Sequence, residues 1–484
     1  MSLPAVDLIV ILLYIAGVTA WGAWLGRGQT DARDYFFGNR ELPWGAVLLS
    51  VVATETSTLT FLSIPGISYL GTLGFLQLAF GYLIGRVVVA ALLLPRYYRR
   101  DLTTAYEFLD LRFGPGPRRA TSAIFMITRL LADSVRLFAT AIPLALITGW
   151  PYPASIAAIG VATLLYTYVG GIRAVVWVDV AQMVLYLTGG LAALAVLQVL
   201  VPGGWGAVVQ SAADAGKLSA IDLSFDLSNP YTLWAGIFGG AFLTMGSHGT
   251  DQLIVQRLLT CRDLTAARRA LVGSGFVVIF QFALFLAVGL GLWFYYEGRP
   301  FDRSDAIFAT FIVDEMPIGL RGLLIAGVLA AAMSSLSSSI NSLASASAYD
   351  FWRPLRGSRS AGSLLRAGRV FTLLWAVLLI SGAILFIPLS RGTAAVEVSL
   401  AIASWVYGGL LGAFALALFS KRAVAPGVIV GIVIGIGAVT LIWLFAREFV
   451  AWPWFVLIGT AVTYAAGEAI SRAFGGDPAD PSGS

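Results

Sequence analysis

Long apolar stretches, separated by short polar loops, recur along almost the whole chain. A helical run of about 20 apolar residues, rising about 1.5 Å per residue, crosses a hydrocarbon core of about 30 Å. The pattern therefore predicts an all-α membrane protein with about 13 transmembrane helices. The predicted spans cover approximately residues 4–25, 44–71, 74–95, 120–148, 152–170, 174–201, 230–256, 268–296, 318–350, 364–387, 393–420, 424–446 and 451–472.

Polar residues interrupt two of these spans. Thr54-Glu-Thr-Ser-Thr-Leu-Thr60 breaks the second span near its middle, and Thr244-Met-Gly-Ser-His-Gly-Thr-Asp251 breaks the seventh. Two interrupted spans in opposite orientation are typical of a five-plus-five inverted repeat, whose breaks form a binding site at the membrane midplane. We expect the repeats at about 44–201 and 230–420. Two ordinary glycine kinks are the alternative interpretation.

Hydroxyl groups are concentrated on one face of the ninth predicted span. The stretch Leu329–Ser342 places them in an otherwise apolar helix, at spacings of three and four residues that return to the same side. A row of neutral oxygens suits a small hard cation. The alternative is that small residues allow close helix packing and that hydroxyls bond back to the preceding turn. The residues on this face are Ser334, Ser337, Ser338, Asn341, Ser342 and Ser345.

The composition excludes several classes of protein. Of the 484 residues, 58% are hydrophobic and 12% are charged, whereas soluble domains have about 25% charged residues. One cysteine and one histidine are too few for a disulfide framework or for a thiolate or imidazole metal site. The sequence offers no pair of nucleophile and base, so we do not expect an enzyme. We expect a single transmembrane domain over residues 1–474 and a short cytoplasmic tail at 475–484.

The net charge of +5 comes from arginine-rich loops. These loops predict contact with anionic lipid rather than with nucleic acid. Because basic residues are concentrated in alternate loops, the positive-inside rule places the N-terminus outside and the C-terminus in the cytoplasm, in the plasma (inner) membrane. The basic segments are 26–43, 96–119, 171–173, 257–269, 351–369 and 421–422, and Arg257 is counted among their charges.

Two acidic residues lie inside predicted spans. Glu55 is about 16 Å from the cytoplasmic edge, and a carboxylate near the bilayer centre costs about 2.5–3.5 kcal/mol. We interpret Glu55 as an ion or solute ligand. The alternative is a protonated side chain that bonds to Thr54, Thr56 or Ser57. Asp179 lies nearer the cytoplasm and is a candidate for a second ion site, unless it pairs with an arginine or with backbone amides.

Basic residues inside the spans are candidates for binding an anionic solute. Arg129, Asp133 and Arg136 share one helix face, so Asp133 can neutralise one guanidinium and one positive charge remains. Arg136 is therefore a candidate for holding a carboxylate or phosphate, with a structural charge network as the alternative. His248, at the second interruption, is a candidate for a proton-linked step, with a packed, hydrogen-bonded histidine as the alternative.

Four motifs together resemble the sodium/solute symporter family. They are Ala53-Thr-Glu-Thr-Ser-Thr-Leu-Thr-Phe-Leu-Ser-Ile-Pro-Gly66, Tyr168-Val-Gly-Gly-Ile-Arg-Ala-Val-Val-Trp-Val-Asp179, Asp251-Gln-Leu-Ile-Val-Gln-Arg257 and Ala331-Ala-Met-Ser-Ser-Leu-Ser-Ser-Ser-Ile-Asn-Ser342. The resemblance covers nearly the whole chain in order. The family includes sodium-coupled transporters of proline, galactose, sialic acid, iodide and monocarboxylates. The resemblance implies a LeuT-like five-plus-five inverted repeat with one extra N-terminal and two extra C-terminal helices.

The resemblance implies sodium as the coupled ion and also implies its ligands. A shared site in the family uses carbonyls of the first broken helix, and a carbonyl and two hydroxyls of the eighth core helix. The matching residues here are Ala53, Thr56, Ala331, Ser334 and Ser335. Some members hold a second sodium ion, and the matching residues are Asp179, Ser334, Ser337 and Ser338. Proline transporters carry an acid that supports sodium binding at the position of Glu55.

The solute site does not carry over from the resemblance. Where sugar transporters place acids, amides and a lysine, this chain has Leu59, Thr60, Ala79, Tyr82, Thr244 and Ser247. The arginine of sialic-acid transporters aligns with Ala132. We therefore take the residues beside the helix breaks as solute-binding candidates. These are Thr58, Thr60, Gln77, Tyr82, Arg136, Thr244, Ser247, His248, Ser404 and Tyr407.

The sequence thus predicts a sodium-coupled secondary active symporter that imports a small polar or organic-acid solute by alternating access. Proton coupling through Glu55 and His248 is the alternative within the same fold, and a solute-sensing membrane protein is a less favoured one. The expected partners are the small-molecule solute, sodium and the lipid bilayer, without nucleic acid or an obligate protein partner.

Overall fold

The structure is a computed structural model that describes residues 4–301, 304–356, 361–387 and 395–474. The predicted tail at 475–484 lies outside these residues. The first ten helices are α1 (Ala5–Leu25), α2 (Ala32–Phe37), α3 (Trp44–Glu55), α4 (Thr58–Leu70), α5 (Leu76–Leu92), α6 (Leu94–Arg99), α7 (Glu107–Phe113), α8 (Pro115–Thr148), α9 (Tyr152–Leu200) and α10 (Gly204–Asp214).

Ten further helices follow in the second half of the chain. They are α11 (Ala241–Gly249), α12 (Gln252–Leu258), α13 (Leu264–Tyr295), α14 (Ser304–Asp314), α15 (Leu320–Ala346), α16 (Arg353–Arg356), α17 (Ala361–Phe386), α18 (Ala395–Phe419), α19 (Ala425–Phe445) and α20 (Trp454–Ala473). Short π-helical turns at Ala235–Gly240 and Ser347–Trp352 precede α11 and follow α15, and a 3₁₀ turn covers Gly38–Arg40.

Many of these helices are suited to a membrane. Within the described ranges, eight helices are long and apolar enough to span it, and the bent pair of α3 and α4 would make a ninth span. The molecule is therefore a multi-pass membrane protein, while the count of about 13 spans stays a prediction. The eight are α1, α5 with α6, α9, α13, α15 with its continuation to Leu355, α17, α19 and α20.

Helix α15, which carries the serine face, lies at the centre of the fold. In the most apolar stretch of this helix 94% of the residues are buried, whereas the most apolar stretches of α1 and α19 are only 17% and 28% buried. Helices α1, α8, α9 and α17 pack around it. The outer helices expose apolar side chains, as lipid contact requires, whereas the polar groups of α15 are enclosed by protein.

The first predicted break is present between α3 and α4. The backbone is extended at Thr56 (φ −80°, ψ 109°) and Ser57 (φ −98°, ψ 168°), and α4 begins at Thr58. The Thr56 amide donates to the Val52 carbonyl (2.9 Å), and because α3 ends at Glu55, the carbonyls of Ala53, Thr54 and Glu55 have no amide partner further along the same helix. These carbonyls are therefore available to a ligand at the break.

The second predicted break lies between α11 and α12. Asp251 is extended (φ −88°, ψ 122°), and its side chain accepts a hydrogen bond from the Leu253 amide at the start of α12. The preceding π-helical turn, Ala235–Gly240, packs against α5. Both polar interruptions of the apolar spans thus correspond to interrupted helices.

Helix α9 changes direction at a glycine between the predicted spans 152–170 and 174–201. Gly171 has φ 52° and ψ −152° within this helix of 49 residues. A Cβ atom there would lie 2.4 Å from the Tyr35 carbonyl oxygen. Glycine is therefore required both by the positive φ and by the close approach of another backbone.

We expect Gly171→Ala to destabilise the protein by about 1–3 kcal/mol, because alanine would be strained and would press on Tyr35. The measurement is the apparent Tm of the purified protein in detergent. Gly17→Ala in α1 is the matched control, since no heavy atom in the described residues lies within 4 Å of the added Cβ. Equal Tm values for the two variants would contradict the role assigned to Gly171.

Candidate ion and solute sites

Four of the five residues predicted for the first sodium site line one small cavity. Ala53 and Thr56 come from the break after α3, while Ala331 and Ser334 come from α15. The fifth residue, Ser335, lines a second cavity. The remaining residues of the first cavity all come from α9: Gln182, Met183 and Tyr186.

The residues predicted for the first sodium site offer neutral oxygens to a cation. Ser334 Oγ donates to Asp179 Oδ1 (2.7 Å), and Ser335 Oγ donates to the Ala331 carbonyl (3.1 Å). Each hydroxyl oxygen keeps lone pairs that can bind a cation. Among the residues that the structure describes, no group of three or more Asp, Glu, His or Cys side chains could hold a metal ion. The donor set thus suits a hard monovalent cation bound by carbonyls and hydroxyls.

Gln182 is a cavity residue that the sequence interpretation missed. Its side chain is 2% exposed, and neither its amide nitrogen nor its oxygen has a hydrogen-bond partner within the described part of the chain. The sequence could have identified it by its position three residues after Asp179, on the same helix face. Its oxygen is a further neutral group beside the predicted sodium ligands.

Asp179 is paired with a buried arginine. Arg257 Nη2 lies 3.2 Å from Asp179 Oδ2, and both side chains are fully buried. Ser50 Oγ donates to the same carboxylate oxygen (2.5 Å), and Arg257 also donates to Ser338 Oγ. The structure thus brings Asp179, Ser334 and Ser338 together, as predicted for a second sodium site, but with a guanidinium among them.

Two details of the sequence interpretation change here. Arg257, counted as a loop charge, lies fully buried on α12, so it does not contribute to the loop charges that set orientation. Ser337, predicted beside Asp179, donates to the Ser334 carbonyl (3.0 Å). The alternative interpretation of Asp179, pairing with an arginine, describes this arrangement.

Glu55 is paired with Arg86 on α5, a residue that the sequence interpretation did not single out. Arg86 Nη2 donates to Glu55 Oε2 and lies 3.1 Å from His248 Nε2, which is itself 3.5 Å from Glu55. The sequence could have identified Arg86 as a candidate, because a charged residue within an apolar helix is rare. Thr54 and Thr56, expected as alternative partners, donate instead to the Ser50 carbonyl (2.7 Å) and to Gln281 Oε1 (3.1 Å).

Asp251 balances the charges of Arg129, Asp133 and Arg136 on α8. Arg129 donates to Asp251 at the second helix break, while Asp133 lies 3.3 Å from Arg136 and accepts a hydrogen bond from Ser339 (2.5 Å). The expectation of one unbalanced positive charge is therefore wrong, because the sequence interpretation did not include Asp251 as a partner.

The comparison with known families decides the family of the chain. The model of the sodium:solute symporter family matches residues 35–435. The chain belongs to the sodium:solute symporter family. This family is one of transporters, and membership confirms the predicted sodium-coupled symport.

Individual relatives of the symporter transport different solutes. The chain is 30% identical to the human sodium/iodide cotransporter, over 90% of this chain and 68% of that protein. It is 28% identical to the sodium/sialic acid symporter NanT of Aliivibrio fischeri, over 96% of this chain and 93% of that protein.

Solved structures confirm the predicted LeuT-like fold. A Na⁺-coupled sialic acid symporter in a substrate-bound, outward-open state matches with a TM-score of 0.89 and 27% identity, over 99% of both chains. MhsT in complex with L-phenylalanine matches with a TM-score of 0.53 and 17% identity, which shows the fold alone.

The solute candidates of the symporter do not share one cavity. Thr58 and Arg136 line the second cavity with Ser335. Gln77 joins neighbouring segments, since its Nε2 donates to the Tyr231 carbonyl (2.8 Å) and its Oε1 accepts from the Asp222 amide (2.9 Å). The other residues of the second cavity are Ser57, Asp133, Leu137, Thr140, Ala332 and Leu336.

The remaining candidates lie in separate contacts. Thr60 accepts a hydrogen bond from the Ser57 amide (3.4 Å) at the start of α4. Tyr82 packs edge-on against Phe282, and Tyr407 Oη donates to Asp251 Oδ2 (2.9 Å). Thr244 lies in the first half of α11 and Ser404 lies on α18, and both are buried. Ser247 Oγ lies 2.9 Å from His248 Nδ1, within the group around Glu55.

We expect Asp179→Asn to destabilise the symporter by about 3–5 kcal/mol, because it leaves the Arg257 guanidinium buried without its carboxylate. Adding Arg257→Gln should restore much of the loss, since the double variant buries no unpaired charge. The measurement is the apparent Tm in detergent.

Arg262→Gln is the control, since the exposed pair of Arg262 and Asp263 should contribute about 1 kcal/mol or less. A double variant as unstable as Asp179→Asn would show that the two charges are not coupled.

Proposed function

We propose that the symporter binds sodium between the α3/α4 break and α15, and couples its inward movement to import of a small polar or organic-acid solute. The observation that carries this proposal is the shared cavity of Ala53, Thr56, Ala331 and Ser334. Sodium there would join the first broken helix to the central helix. Such a bridge favours one state of an alternating-access cycle and raises solute affinity, and the coupling must be reciprocal.

The proposed first-site ligands are all neutral. They are the carbonyl oxygens of Ala53, Thr56 and Ala331 and the hydroxyl oxygens of Ser334 and Ser335, with Gln182 as a further oxygen. Glu55 lies in the chain between two of these carbonyls. We assign it a supporting role, because its pairing with Arg86 holds the break in place without contacting the ion.

We propose that a second sodium ion binds at Asp179, Ser334, Ser337 and Ser338, on one condition. Arg257 has to leave the Asp179 carboxylate first, because a guanidinium and a sodium ion would compete for the same charge. Since Arg257 lies on α12, beyond the second break, binding of a second ion would be linked to movement of that helix.

The solute is proposed to bind beside the first sodium ion. Thr58 and Arg136 line the second cavity together with Ser335, so solute and sodium would share contacts with the same turn of α15. Such proximity supports coupling. The other candidates require a conformation with a larger solute cavity: Thr60, Gln77, Tyr82, Thr244, Ser247, His248, Ser404 and Tyr407.

We propose one transmembrane domain over residues 1–474, with inverted repeats at about 44–201 and 230–420. The distribution of arginine supports insertion in the plasma (inner) membrane with the N-terminus outside and the C-terminus in the cytoplasm. The membrane potential would then add about 2.3 kcal/mol per charge per 100 mV to sodium entry. No chemical conversion of the solute and no obligate protein partner is proposed.

Proton coupling is the second candidate function. The observation that favours it is the 3.5 Å distance between His248 Nε2 and the Glu55 carboxylate. A proton shared between these groups would respond to a pH gradient. The pairing of Glu55 with Arg86 weighs against it, because the guanidinium already neutralises the carboxylate.

Uptake by proteoliposomes tests the proposed function. With sodium outside and potassium inside, we expect accumulation of at least one labelled solute from a panel of organic acids, amino acids and sugars. Ser335→Ala should reduce this uptake about tenfold or more at subsaturating sodium, because it removes a hydroxyl ligand. Ser345→Ala is the matched control, since Ser345 is buried on the same helix outside both cavities.

The outcome separates the two candidate functions. Uptake that follows a pH gradient without sodium, and that Ser335→Ala leaves intact, would establish proton coupling in place of sodium coupling. Failure of every solute to accumulate under a sodium gradient would contradict both the proposed coupling and the proposed solute class.

A further inference from the structure

Arg86 lies between the two helix breaks. It belongs to α5, and its fully buried side chain contacts Glu55 at the end of α3 and His248 near the end of α11. Breaks of this kind form the binding sites of inverted-repeat transporters. The guanidinium is therefore placed where a solute and a coupled ion would meet.

The hydrogen bonding of Arg86 is incomplete. Nη2 makes the contacts with Glu55 and His248. Nε and Nη1 are buried and have no hydrogen-bond partner within the described part of the chain. A buried N–H without an acceptor is costly, and a charged one more so. Two donors of a fixed cation are thus left for an acceptor that the described residues do not supply.

The carboxylate is the accessible part of the pair, since Arg86 is fully buried whereas 21% of the Glu55 side chain is accessible. Gly275 on α13 packs tightly against the stem of Arg86, because a Cβ atom there would lie 3.2 Å from Arg86 Cδ. The position of the guanidinium is therefore fixed by packing. Ser57, which lines the cavity of Thr58 and Arg136, is two residues after Glu55, so their Cα atoms are at most about 7 Å apart.

We propose that Arg86 is the residue that recognises the acid group of the solute, through Nε and Nη1. This inference rests on the proposed function and narrows its solute class to molecules that carry a carboxylate. Arg136 is less suited, because it lies 3.3 Å from Asp133 and its charge is balanced there. The guanidinium of Arg86 offers the directional donors that carboxylates prefer.

Charge balance gives this arrangement a coupling role. Glu55 and Arg86 together are neutral. Sodium at the carbonyls of Ala53 and Thr56 would add one positive charge beside Glu55, and a carboxylate at Arg86 would add one negative charge. Each charge lowers the cost of burying the other, so sodium and the acid would bind cooperatively.

The test is the effect of Arg86→Lys on acid-dependent thermal stabilisation. The probes are propionate, lactate and proline in sodium buffer, with propionamide and galactose as counterparts without a carboxylate. Propionate against proline separates a simple anion from a zwitterion. We expect at least one acid, and neither counterpart, to raise the Tm of the wild type. Lysine keeps the charge beside Glu55 but lacks Nε and Nη1, so we expect the acid affinity to fall tenfold or more.

Arg268→Lys is the matched control, because Arg268 Nε donates to the Ala90 carbonyl (2.9 Å) away from both cavities. If Arg86→Lys does not fold, Glu55→Gln with Arg86→Gln removes both charges together and should show the same loss of acid affinity. Equal acid affinity in the wild type and the Arg86 variants, or no acid effect in the wild type, would overturn the inference.

The sodium effect without acid distinguishes failure of the inference from failure of the proposed function. Sodium should stabilise both the wild type and Arg86→Lys, because the first-site ligands are unchanged. A wild type without any selective effect of sodium would contradict the proposed function, and this inference would fall with it.

Discussion

The interruption between α3 and α4 is the constraint on which the rest of the structure depends. A membrane helix satisfies its own backbone, so ending one inside the protein leaves carbonyls that need a partner. Here they face α15, where serine and alanine leave space and supply oxygens. The cavity between Ala53, Thr56, Ala331 and Ser334 is the product of that arrangement. The donors that line it are neutral oxygens, which is why we propose sodium as its ligand.

Buried ion pairs connect the broken helices to their neighbours. Arg86 on α5 pairs with Glu55 at the first break, and Arg129 on α8 pairs with Asp251 at the second. Arg257, beyond the second break, pairs with Asp179 on α9. Because a charge separated from its partner inside the protein is costly, such pairs favour discrete arrangements of helices over gradual deformation. Both breaks are thus tied to neighbouring helices by buried charges, among which we propose that sodium and an acid bind.

Local sequence predicted the breaks but not the charge partners. The run of threonines around Glu55 and the glycines beside His248 interrupt apolar patterns, and both helices end there. The partners of Glu55 and Asp179 lie 31 and 78 residues away, and only the packing of helices brings them together. The same limit explains Arg257, which looks like a loop charge in the sequence because α12 is short and ends just before the basic loop that leads to α13.

The solute candidates show a second limit on what the sequence can predict. Position beside a break selected ten residues, of which Thr58 and Arg136 line the second cavity. Side chains near a break also serve to cap helices or join loops, as Thr60 and Gln77 do, and the pattern of residue types does not separate these uses. The residues predicted for the first sodium site depend on one break and one helix face, and four of them line one cavity.

Equilibrium binding of radioactive sodium to the purified protein tests the central claim most directly. The account predicts saturable binding that unlabelled sodium displaces and potassium does not. Combined Ser334→Ala and Ser335→Ala substitutions should abolish it in a protein that remains folded. Saturable binding of unchanged affinity in that double variant would contradict a sodium site between the first helix break and α15.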